Sequence, residues 1–216
     1  MDLAIDINNI EEYGVKSIYE EIAPHFNSSR TYIWQWVKDI MKEIPKNSII
    51  CDIGCGNGRN MKFEGYKFYG LDNCEQFVDI CKHQGLSVEL GDMCSIPYNS
   101  LSFDVTISIA SFHHLSSHTR RINALYEMKR ITKPNGTIIL SVWSFNQPKK
   151  TRREFQKYGD NIVTWDQFGK IYNRYYYIFQ IPELENMFKE TGLFIERHFW
   201  DCGNEIYILK KTINNK

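Results

Sequence analysis

Between residues 48 and 143 of the 216-residue chain, short apolar runs alternate with amphipathic stretches. This predicts an α/β fold, a mostly parallel sheet with helices on both faces. Two further observations sharpen the expectation. A glycine-rich turn, DIGCGNG at 52–58, follows the first apolar run directly, where doubly wound sheets open their crevice. The last two apolar segments, LFIERHFW and EIYILKK, are joined by DCGN, a hairpin composition that inserts one antiparallel strand. Seven strands in one domain spanning 1–216 are expected.

The elements follow in order. TYIWQWVKDIMKEIP, from Thr31, has apolar residues at 33, 34, 37, 40, 41 and 44, a helical spacing that Pro45 and Asn47 end. Residues 48–52 are the first strand, and the glycine turn after it is expected to open a helix. KFYGLD (67–72) is the second strand, and NCEQFVDICKHQG a helix closed by Gly85. LSVELGD is the third strand, FDVTISIA (103–110) the fourth. HTRRINALYEMKRIT is an amphipathic helix ending before Pro134-Asn135-Gly136, and TIILSVW is the fifth strand. PELENMFKETG is a helix before the terminal hairpin. This divides the chain into an N-terminal helical segment (1–44), a ligand-binding half (45–143), a basic insertion (144–173) and a C-terminal helix and hairpin (174–216). The insertion has no clear periodicity and reads as long and mobile.

Composition excludes several classes. Apolar content of 43% and aromatic content of 14% are those of a folded domain. No apolar run reaches the ~20 residues that cross a bilayer. The acidic N-terminus, MDLAIDINNIEEYG, lacks a signal-peptide pattern, so a soluble intracellular protein is expected. The six cysteines (Cys51, Cys55, Cys74, Cys81, Cys94, Cys202) form no CxxC pair, so no metal site is expected in this chain. Net charge is zero but divided: residues 1–110 hold 9 Lys/Arg against 16 Asp/Glu, and residues 111–216 hold 17 against 10. Such asymmetry suits a polyanion-facing surface, the alternative being an ordinary solvated face.

Glycines 54, 56 and 58 allow a sharp turn and close approach of a ligand. Nicotinamide enzymes also place glycines there, so the turn alone is not specific. The acid two residues before the first glycine discriminates. A pyrophosphate seeks the positive end of a helix, whereas the ammonium and sulfonium of S-adenosylmethionine favour a carboxylate such as Asp52. Asp72, ending the second strand, is placed to accept both ribose hydroxyls. Asp92, after the third strand, can receive the adenine amino group, with Met93 against the ring. Cys55 and Asn57 in the turn, Asn73 beside Asp72, and Ile109 ending the fourth strand complete the expected cofactor lining. Three acids at three successive strand ends point to S-adenosylmethionine as cofactor and S-adenosylhomocysteine as product.

The arrangement resembles the Rossmann-like class I S-adenosylmethionine-dependent methyltransferases over residues 45–210. SIYEEIAPHFNSSR, ISIASFHHLS, GTIILSVW and RYYYIFQIPELE further resemble the eukaryotic tRNA wobble-uridine carboxymethyl methyltransferase family, to which a domain of an AlkB-type tRNA oxygenase is related. The resemblance implies transfer of a methyl group to the carboxylate of 5-carboxymethyluridine, giving the ester, at the tRNA anticodon loop. It also implies a small zinc-binding activator subunit in a heterodimer, and a cytoplasmic, or also nuclear, location. Two features depart from the family pattern: the basic insertion is short, and Tyr177 stands where a histidine is expected.

A carboxylate acceptor is already ionised at neutral pH and needs no general base. Arg30 is then the expected clamp on that carboxylate, because a guanidinium binds carboxylates bidentately; a surface salt bridge is its alternative. His113 and His114, past the fourth strand, lack partners for a metal. One is expected to donate a hydrogen bond to the acceptor while the other packs, with His113 narrowly favoured; a base for another acceptor, or packing by both, stays open. Trp143, Tyr175, Tyr176 and Arg174 are candidates for an extruded base, and Lys149, Lys150, Arg152 and Arg153 for phosphates. The third strand is expected at the sheet edge, where Leu86, Val88 and Leu90, with Phe77 and Ile80, would dock the activator by strand addition. Rival readings are a small-molecule O- or N-methyltransferase with a histidine base, and a non-catalytic RNA-binding scaffold.

Overall fold

The structure, a computed structural model, describes residues 9–151 and 154–211. Seven strands form one sheet in the order β3-β2-β1-β4-β5-β9-β8. These are β1 (Ile49–Ile53), β2 (Lys67–Asp72), β3 (Val88–Leu90), β4 (Phe103–Ile109), β5 (Thr132–Trp143), β8 (Leu193–Asp201) and β9 (Asn204–Lys211). β1 to β5 pair in parallel, and β9 runs antiparallel between β5 and β8. The strand order reverses at β1 and β4, which opens the crevice at their carboxyl ends.

Helices α2 (Gln35–Glu43) and α3 (Glu75–His83) cover one face, α4 (His118–Ile131) and α5 (Ile181–Glu190) the other. α2 begins four residues after Thr31, because Trp34 is extended (ψ 145°), and buries Trp36, Val37, Ile40 and Met41 against Ile50, Val105, Ile107 and Ile139. The larger core lies under α4 and α5, where Leu125, Met128, Leu184 and Phe188 pack on Ile138, Leu140 and Tyr207. Ser117 caps α4 through Arg120 N. Helix α1 (Ser17–Ser29) lies against α3 and the crevice.

Three local expectations are corrected. No α-helix follows the glycine turn; a single 3-10 turn, Arg59–Met61, does, since only a few residues separate it from β2. β5 begins at Thr132, so Pro134-Asn135-Gly136 lies inside it as an irregularity, with Asn135 at φ 62° and the register shifting between Phe103 and Val105 of β4. The segment 144–173 is not irregular: it carries β6 (Gly159–Gln167), which pairs antiparallel with β7 (Lys170–Ile178). Phe168 and Gly169 make its two-residue turn, both at positive φ.

Candidate active site

A cleft of about 280 Å³ runs from the glycine turn to the β6–β7 hairpin. Its donor end is built from the turn after β1. Gly54, Gly56 and Gly58 have φ of 72°, 54° and 70°. A Cβ on Gly54 would lie 1.8 Å from Ser111 Oγ, so the β1 turn and the turn after β4 touch only because this residue is glycine. At Gly56 a Cβ would meet nothing nearer than Phe26 at 3.9 Å, and that open side faces the cleft. Asn57 Nδ2 donates to Asn27 Oδ1 (3.2 Å) and Arg30 O (3.1 Å), which ties this turn to the end of α1.

Asp72 lines the cleft. Its Oδ2 accepts from Gly56 N (2.7 Å) and its Oδ1 from Cys74 N (3.0 Å). Burial pushes its carboxyl up to about 6 against the pull of those two amides. Asp52, expected in the cofactor lining, lies instead beneath the turn, 1% exposed and outside the cleft lining, because it is held within the buried strand β1. Both its oxygens are buried without a hydrogen bond within ordinary distance among the described residues. Burial first, and then Asp72, push it up to about 7, opposed by Arg59 and Asn60. Asn73, Met93, Ile109 and Cys55 line the same end. Asp92 Oδ1 accepts from Cys94 N (2.8 Å), and Oδ2 pairs with Arg120 (2.7 Å), which also pairs with Glu11 (2.8 Å).

These residues fit S-adenosylmethionine on two counts. The buried Asp52 carboxyl, with Arg59 and Asn60 beside it, still makes the ground beneath the turn favourable to a cationic ligand. The missing helix after the turn removes the dipole that a pyrophosphate would use. One prediction follows from Asp52 and Asp72. Both are raised in the folded state, so the stability they confer is full below pH ~4 and falls as pH rises through about 6 to 7. Asp52→Asn removes its share. The melting-temperature difference between the variant and the wild type should therefore grow in the variant's favour from pH 4.5 to 8, by the equivalent of roughly 2–4 kcal/mol. A pH-independent difference contradicts the assignment.

The acceptor end is lined by Arg30, Trp143, Trp165, Arg174, Tyr176 and His114. Arg30 is exposed at the end of α1, with its guanidinium carbon 4.7 Å from the Trp165 ring centroid. Partial withdrawal of its head from water into the cleft, then the charge of Arg174, hold it below the ordinary arginine range. Arg174 Nη1 donates to Tyr176 Oη (2.8 Å) and Tyr19 Oη (3.3 Å).

The two histidines are placed opposite to expectation. His113 is fully buried and outside the cleft lining, and its Nδ1 accepts from Trp143 N (3.0 Å). His114 lines the cleft. Its Nδ1–H donates to Tyr175 O (2.8 Å), because a carbonyl only accepts, so its Nε2 accepts from Tyr19 Oη (3.3 Å). Burial pushes its pKa down to about 3, the Tyr175 bond opposing and Arg174 adding to the fall. It is neutral at any working pH.

The strand period sorts the remaining candidates. Arg174 and Tyr176 face the cleft, while Tyr175 faces away, buried against Ile10 and Val15 with its hydroxyl on Asp160 (2.7 Å). Tyr175 is therefore not placed to touch a base. Tyr176 is itself buried and stacked on Trp143 at 4.1 Å. Lys149 is exposed in the turn Lys149–Thr151, which includes Lys150. Arg152 and Arg153 lie outside the described residues. At the sheet edge, Leu90 is exposed and Leu86 and Ile80 half-buried, but Phe77 and Val88 are spent on the chain's own core. Sequence reasoning missed Tyr19, Arg59, Trp165 and Arg120. Tyr19 and Phe26, seven residues apart on α1, had a legible spacing; the others gave none.

The sheet order, glycine turn and acids at the strand ends define a class I S-adenosylmethionine-dependent methyltransferase. Residues 51–140 match the family model described as a methyltransferase domain. The chain belongs to the tRNA wobble-uridine carboxymethyl methyltransferase family. It is 32% identical over 231 residues to the tRNA (carboxymethyluridine(34)-5-O)-methyltransferase of Schizosaccharomyces pombe, covering 96% of this chain and 100% of that one. It is 34% identical over 159 residues to the mouse protein of that name, ALKBH8, and 37% over 139 residues to that of Arabidopsis thaliana. Those matches cover 73% and 64% of this chain, but the chain spans only 24% and 34% of those two relatives. Among solved structures, a methyltransferase from Clostridium acetobutylicum superposes with a TM-score of 0.67 at 14% identity, over 90% of this chain and 99% of that one. A complex of the Haloferax volcanii Trm112 methyltransferase activator with a methyltransferase gives 0.69 at 15%, over 94% and 99%. At these identities the structures show the fold alone.

Proposed function

We propose that this chain transfers a methyl group from S-adenosylmethionine to the carboxylate of 5-carboxymethyluridine at the tRNA wobble position, forming the methyl ester. The observation that carries the reading is the acceptor end of the cleft. Arg30 and Arg174 face it without an ion-pair partner among the described residues, while its one histidine is neutral and engaged at both nitrogens. That is a site for an anion, and one without a base. Arg30 supplies a planar fork for the carboxylate, beside the aromatic walls formed by Trp143, Trp165 and Tyr176. Asp72 holds the donor's ribose, Asp52 favours its cationic end, and Asp92 with Met93 takes the adenine. When bound, the donor supplies a methyl group on a cationic sulfur; its C–S bond breaks as the O–C bond forms, leaving a neutral thioether and a neutral ester. No proton moves.

The names of the relatives support tRNA as substrate, and the Haloferax complex supports an activator partner. We place that partner on the edge of β3, where Leu90 and the open backbone invite strand addition. Lys149 and the basic residues after it suit tRNA phosphates. The reading predicts an RNA-dependent reaction with a flat pH profile. At saturating donor, kcat/KM should vary less than threefold between pH 6 and 8.5, and His114→Gln should leave that shape unchanged. Transfer to an RNA that carries carboxymethyluridine, but not to the same RNA with plain uridine, is the result expected. Loss of turnover in His114→Gln, or acceptance of small amines without RNA, favours the histidine-base alternative.

A further inference from the structure

We propose that Trp165 and Arg174 of the hairpin complete, with Arg30, a two-guanidinium anion site that holds the acid acceptor and releases its ester. The inference rests on the carboxylate reading above. Trp165 is 8% exposed, and both guanidinium carbons lie close to its ring centroid, Arg30 at 4.7 Å and Arg174 at 4.8 Å. Contact with the ring face lets two like charges approach one another. Arg174 is 5% exposed, and the groups its Nη1 meets are neutral phenols. Its Nε and the indole Nε1 are both buried with no acceptor among the described residues. Two buried donors here thus lack acceptors, and neither guanidinium has an ion-pair partner among the described residues.

A carboxylate entering this cleft meets two cations at once. Its methyl ester has no charge, so the same cleft holds it only as it would any polar neutral group. Chemistry at the site therefore lowers the affinity for its own product, and an amide is refused for the same reason. Trp165 acts as a positioning residue that holds both guanidinia against its ring. It touches neither reacting atom.

The test is binding, not turnover. A short anticodon stem-loop RNA is made with the carboxymethyl acid, its methyl ester or its amide at one uridine, and its affinity for the full chain is measured. The wild type should prefer the acid by about 30- to 100-fold, the worth of charge-assisted bonds lost in the neutral forms. Arg174→Gln, which can still bond the two phenols, should cut the preference below tenfold by weakening the acid alone. Trp165→Leu should do the same, with Trp165→Phe restoring most of it. S-adenosylmethionine affinity, unchanged in each variant, reports that the fold is intact; should Arg174→Gln not fold, the two Trp165 variants decide. Full preference retained in Arg174→Gln or Trp165→Leu overturns the inference and leaves Arg30 as the sole clamp. No preference in the wild type sinks the carboxylate reading itself.

Discussion

Replacing Arg30 with methionine should lower kcat/KM for the modified RNA by roughly two to three orders of magnitude, with S-adenosylmethionine affinity within a factor of two. Removing one partner of a desolvated charge pair costs about 3–4 kcal/mol. The donor end is insulated from the change, because Asn57 ties α1 to the glycine turn through the backbone carbonyl of Arg30, not its side chain. Arg30→Lys should recover only part of the loss, since an ammonium keeps the charge but not the planar fork. Stopped-flow kinetics with calorimetry for the donor separates the two ends. Equal losses in both would mean that Arg30 supports the fold and does not clamp the acceptor.

Asp72→Asn should weaken S-adenosylmethionine binding at least a hundredfold while leaving RNA affinity nearly unchanged. Both carboxylate oxygens already accept backbone N–H groups, from Gly56 and Cys74. An amide must turn its NH2 towards one of them, placing donor against donor and leaving a buried amide unsatisfied. The ribose hydroxyls lose a charged acceptor in the same stroke. Isothermal titration with the donor alone reads this directly; an affinity within tenfold of wild type removes Asp72 from the cofactor site.

Much of the fold was legible because strand and helix periods differ and alternate cleanly from β1 to β5. Asp72 and Asp92 were legible as cleft residues because the carboxyl ends of parallel strands share one crevice, whereas Asp52 lies beneath the turn, outside the lining. What was not legible has specific physical causes. The β6–β7 hairpin turns at Phe168-Gly169, and a phenylalanine at φ 54° carries none of the usual turn signature. Without that strand, its period could not show that Arg174 and Tyr176 share a face that Tyr175 does not. His113 and His114 are adjacent in a short 3-10 turn, Phe112–His114, and which one meets the cleft is set by that turn's rotation. A pattern of residue types does not contain that rotation. Trp165 lay in a stretch read as irregular, so its contact with both arginines emerged only from packing.

The central claim is an ester formed at a carboxylate by a site with no base. The measurement that tests it most directly is transfer of labelled methyl from S-adenosylmethionine to tRNA bearing 5-carboxymethyluridine, with and without the activator, followed by mild alkaline hydrolysis. The account predicts label in the RNA that is released as methanol by base. Label that survives base, or no transfer from a complex that binds the donor, would contradict it.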